Sequence, residues 1–110
     1  MYDKAVLDPL NSLLSKSSKA IQKIQAGKWQ HRMLENNIKA LTVALKLMNG
    51  EMVELTHDEL LSVLEAFDDM INRTDKSKAK FSDGTSQFTL QSNRLNALNV
   101  AKSEVLNLNK

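Results

Sequence analysis

Leu55-Thr56-His57-Asp58-Glu59-Leu60-Leu61-Ser62-Val63-Leu64-Glu65-Ala66-Phe67-Asp68-Asp69-Met70-Ile71 is the stretch on which the fold turns. Thr56 and Glu59 stand three apart, the spacing at which each side chain bonds the other's backbone N–H and opens a helix. Leu55 and Leu60 occupy the two positions of a hydrophobic staple around that box. Leu60, Leu64, Phe67 and Ile71 then recur on one helical face, with Leu61, Val63 and Met70 beside them. The spacing predicts a helix over about 57–73.

Upstream of this stretch, Asn49-Gly50 closes a second helix over about 28–49. Leu34, Ile38, Leu41, Leu45 and Met48 form its stripe, and Met33, Ala40, Ala44 and Leu47 widen it. A helix this broadly apolar is central and touches several neighbours. Further upstream, Asp8-Pro9 reads as a helix start, with Asp as cap and Pro at the first helical position. Leu10, Leu13, Leu14, Ile21 and Ile24 carry that helix over about 9–26, and Gly27 reads as its stop.

Downstream, Thr74 to Gly84 (TDKSKAKFSDG) is polar and basic and reads as one long loop over 74–84, with Phe81 pinning it to the core. A fourth helix over about 85–107 carries Phe88, Leu95, Leu98, Ala101, Val105 and Leu108. Asn36, Ala40, Leu41, Val43 and Ala44 match Asn93, Ala97, Leu98, Val100 and Ala101 at a constant offset of 57. Shared helical patterning accounts for part of that match, and an internal duplication would suit paired hairpins.

The 110 residues make one domain, 1–110, with 42% hydrophobic and 25% charged residues, an ordinary globular mix. One Pro and three Gly are too few turns for an all-β sandwich or barrel. The expected fold is all-α: an up-and-down four-helix bundle, or paired helical hairpins that complete their core by dimerising. The first residues show no basic stretch followed by an apolar run, and no apolar run approaches the ~20 residues that span a bilayer. The sequence thus predicts a cytoplasmic protein with no membrane partner.

Chemistry has little to work with. Cys is absent, which excludes thiolate nucleophiles and Cys-ligated metals. His31 and Glu35 stand four apart and read as a surface pair. Glu54 and His57 share the Glu-x-x-His spacing of di-iron bundles, but those use two such motifs and two further Glu. Asp68 and Asp69, adjacent on a helix, point about 100° apart and read as solvated surface. No phosphate loop or nucleotide fingerprint occurs. The expectation is a non-enzymatic protein with no catalytic residues, no cofactor and no metal.

Charge says more. Residues 1–48 carry a net +5, residues 49–72 a net −7, and residues 73–110 a net +4. Used internally, the blocks would set the acidic third helix beside the basic first and fourth. Used externally, they would offer an acidic face to a basic partner. The function expected is protein–protein interaction with an unidentified protein, centred on Glu65, Asp68 and Asp69; Trp29, just after the break between the first two helices, reads as a cap on the end of the core or, if exposed, as an interface anchor. The alternative is a nucleic-acid-associated regulator using Arg73, Lys76, Lys78 and Lys80 in the basic segment 73–80. A homodimer fits either reading, because the broad arcs of the second and fourth helices would exceed what one small bundle covers.

Overall fold

The computed structural model describes residues 2–109, with side chains through Leu108. Four helices, α1 (Lys4–Ile21), α2 (Trp29–Met48), α3 (His57–Lys78) and α4 (Ser86–Leu106), are followed by a short 3-10 turn. They pack into a four-helix bundle of 41 × 37 × 19 Å, about two helix diameters deep.

α3 opens as its sequence dictates. The Glu59 N–H donates to Thr56 Oγ1 at 3.1 Å, and the Thr56 N–H donates to Glu59 Oε1 at 3.0 Å. The Thr56 N–H on the carboxylate, then Lys39 of α2 at 2.9 Å and the Thr56 hydroxyl, lower the Glu59 pKa from 4.5 to about 2. A carboxylate held down in the folded state contributes stability above its unfolded pKa and loses it as pH falls through the folded one. Urea midpoints measured from pH 5 to 2 should therefore decline across that window, and Glu59→Gln should flatten the decline.

Both ends of α1 lie earlier than the spacing predicts. The helix starts at Lys4, so Pro9 sits inside it and Asp8 is not its cap; Asp3 takes that position without a side-chain bond. Pro9 removes one hydrogen bond near the helix start. Burial of Leu10, and packing of Val6 and Leu7 on the core, offset that loss. At the other end α1 stops at Ile21, and Gly27 serves the turn Gln25–Lys28 instead, with the Lys28 N–H donating to Gln25 O at 3.3 Å. Gly27 is the third residue of that turn and has φ +94°, the positive value a type II turn needs there.

The loop read over 74–84 is shorter in the structure, because α3 continues to Lys78. Thr74 is buried, no Gly or Pro interrupts TDKSK, and Lys76 and Lys78 suit the negative end of the helix dipole. Phe81 is 38% exposed and does not pin the loop to the core. A tight turn, with Gly84 at φ +89° and the Thr85 N–H donating to Ser82 O at 3.2 Å, needs no such anchor.

The two turns are copies of each other. Lys23 to Ala20 and Lys80 to Ser77 make the same bond at 3.1 Å, and the capping residues Gln22 and Ala79 have matching dihedrals. The offset of 57 thus reaches beyond α2 and α4, pairing Gly27 with Gly84 and Gln30 with Gln87. It pairs Leu10 with Phe67, Ala40 with Ala97, Leu41 with Leu98 and Ala44 with Ala101, all fully buried. Even the buried polar residues Asn37 and Arg94 correspond. The fold is two helical hairpins of one design, packed about an approximate two-fold axis. α2 and α4, with small Ala residues on their buried faces, contact each other across the centre, while α1 and α3 do not touch.

Candidate functional site

Three contacts orient the bundle. Trp29 at the start of α2 lines a cleft with Arg73 near the end of α3. Lys78 at the end of α3 sits 5.2 Å from the ring centroid of Phe88 at the start of α4. The Tyr2 hydroxyl, just before α1, donates to Glu104 near the end of α4. Neighbouring helices therefore run antiparallel, and both hairpin turns lie at one end of the bundle. The linker 49–56 lies at the other.

This arrangement sorts the charge along the bundle axis. Lys16, Lys19, Lys23, Lys28 and Arg32 of the first hairpin meet Arg73, Lys76, Lys78 and Lys80 of the second at the turn end. Glu35, Asp75 and Asp83 accompany them there, and Glu65 and Asp69 share a cleft with Arg32 and Arg73. The acidic block lies toward the linker end, where it is partly neutralised: Lys39 of α2 pairs with Glu59 at 2.9 Å and Lys102 of α4 with Asp68 at 2.5 Å. Acidic α3 thus lies between α2 and α4, not beside α1 as the charge blocks suggest.

Among the residues expected to meet a partner, the structure brings together Trp29, Glu65 and Asp69. They line an open cleft of about 350 Å³ between α2 and α3, with Arg32, Met33, Asn36, Ser62, Ala66 and Arg73. On α2 the lining falls at 29, 32, 33 and 36, and on α3 at 62, 65, 66, 69 and 73, one stripe from each helix. Trp29 is 62% exposed, which makes it an outward-facing ring and not a core cap. Asp69 is held by Arg73 at 3.0 Å, whereas Glu65 has no ion-pair partner among the described residues. Asp68 lies apart from them, turned toward Lys102.

The other sequence candidates are placed as follows. His31 Nδ1 meets Glu35 Oε1 at 2.7 Å, the pair that their spacing predicts. Glu54 and His57 line a second open cleft of about 490 Å³ with Val53, Leu55, Thr56, Leu60 and Leu108. No cluster of three or more His, Asp or Glu suited to a metal occurs among the described residues. Of the basic residues, Arg73 is bound to Asp69 and Lys78 covers Phe88, while Lys76 and Lys80 stand exposed. No described helix is long and apolar enough to cross a membrane.

Sequence reasoning missed the partnership of Arg32 and Met33 with the acidic face of α3. Those residues meet Glu65 only through the tertiary register of α2 on α3, which local spacing does not carry. Compared with family models, curated proteins and solved structures, the chain matches none.

Proposed function

We propose that this protein acts by binding another protein, without chemistry of its own, and that the α2–α3 cleft is where the partner docks. The observation that carries this reading is the convergence of exposed Trp29 with unpaired Glu65 in one cleft. An exposed Trp is an expensive surface residue and a frequent interface anchor. Glu65 supplies a carboxylate free to receive a Lys or Arg from the partner, and Met33 and Ala66 give the floor apolar contact. Cations also stack on Trp faces, so one basic side chain can use both features.

The test is capture from the host lysate, with and without nuclease, followed by binding measurements on the purified partner. Glu65→Lys and Trp29→Ala should each weaken that complex at least tenfold, because both are exposed and neither supports the core. Asp68→Asn, outside the cleft, should leave affinity unchanged. Equal binding by Glu65→Lys and the unaltered chain would remove the cleft from consideration.

A further inference from the structure

We infer that the turn end of the bundle binds single-stranded nucleic acid, with phosphates held by its Lys and Arg side chains and bases stacked on Trp29 and Phe81. This inference does not rest on the docking of a protein in the α2–α3 cleft. It rests on the convergence of two basic segments that lie 57 residues apart in the chain and are brought to one end by the repeated hairpin.

Each turn presents cations beside an exposed ring, at positions that the offset of 57 does not pair. In the first, Lys28 and Arg32 flank Trp29, which is 62% exposed. In the second, Lys80 precedes Phe81, which is 38% exposed, and Lys76 lies one turn back on α3. None of these four cations has an ion-pair partner among the described residues. Asp75 and Asp83 at this end are likewise unpaired, and Glu65 and Asp69 share the cleft of Trp29; with Glu35 these carboxylates reduce the local charge without cancelling it. α2 and α4 begin here while α1 and α3 end here, so the helix dipoles offset one another and the positive field is that of the side chains. Sequence-tolerant binders of single strands combine these elements: cations that follow the backbone and exposed aromatic rings for the bases. A duplex offers its phosphates but keeps its bases stacked inside, which leaves the two rings without a role.

The chain has a single Trp, so its emission reports directly on this surface. Titration with a 16-nucleotide oligothymidine should quench Trp29. Four phosphate contacts imply roughly a 50-fold loss of affinity between 50 and 200 mM salt. With a fluorescein-labelled strand read by anisotropy, Trp29→Ala should weaken binding by roughly 5- to 150-fold. Lys76→Gln with Lys80→Gln should lower both the affinity and the salt slope. All three positions are exposed, so unchanged circular dichroism will show that the variants fold. The inference is overturned by an unquenched Trp29, by a 16-base-pair duplex binding as tightly as the single strand, or by polyglutamate competing as well as the oligonucleotide.

Discussion

Phe67→Ala is expected to remove about 3–5 kcal/mol of stability, the range for deleting a buried aromatic ring. Phe67 is fully buried and heads the core in volume, on the face of α3 that meets the other helices. Domains of this size have only about 5–15 kcal/mol in total, so the variant should sit near the edge of folding. In urea its midpoint should drop while the slope stays constant, and its Tm should fall by roughly 12 °C or more. Leu10→Ala, at the two-fold-related position in α1, should cost about 2–5 kcal/mol by the same mechanism. A Phe67→Ala protein as stable as the parent would mean that the core does not depend on α3 at this level.

Arg94→Met is expected to move stability the other way, by about 1–4 kcal/mol. Arg94 is only 8% exposed, and its Nε is buried without a hydrogen-bond partner among the described residues. No described carboxylate pairs with it. Burying a guanidinium carries a desolvation cost that only hydrogen bonds or a counter-charge offset. Met has a comparable length, no charge and enough flexibility to fill the space. Thermal unfolding of the two proteins under identical buffer decides the matter. A lower Tm for Arg94→Met would show that the outer nitrogens gain more at the surface than the buried Nε loses.

How legible was all this beforehand? The start of α3 was fully written in Thr56 and Glu59, because a capping box is a local device whose two bonds depend on nothing else. The match between α2 and α4 was also visible, since Ala40, Leu41 and Ala44 recur as Ala97, Leu98 and Ala101. The limits of α1 were not, because Asp8-Pro9 makes a plausible start and burial of Val6 and Leu7 overrides it. The last turns of α3 were hidden for a similar reason: Thr74 is polar, and only its tertiary surroundings bury it. Arg94 gave no signal either, as arginine is ordinarily a surface residue. The α2–α3 cleft needed Trp29 and Glu65 to meet across two helices, which no periodicity in either one encodes.

The repeated hairpin also means that the chain supplies its own internal control. Parts of the frame are written twice, once in each half: the buried pairs Leu10 with Phe67 and Ala44 with Ala101, and the turn residues Gly27 and Gly84. Subtracting one half from the other leaves Trp29 against Ser86, Arg32 against Thr89 and Asp69 against Ser12. These three unmatched residues all line the α2–α3 cleft. An architecture of this kind can alter one face for recognition while the other half continues to specify the shape.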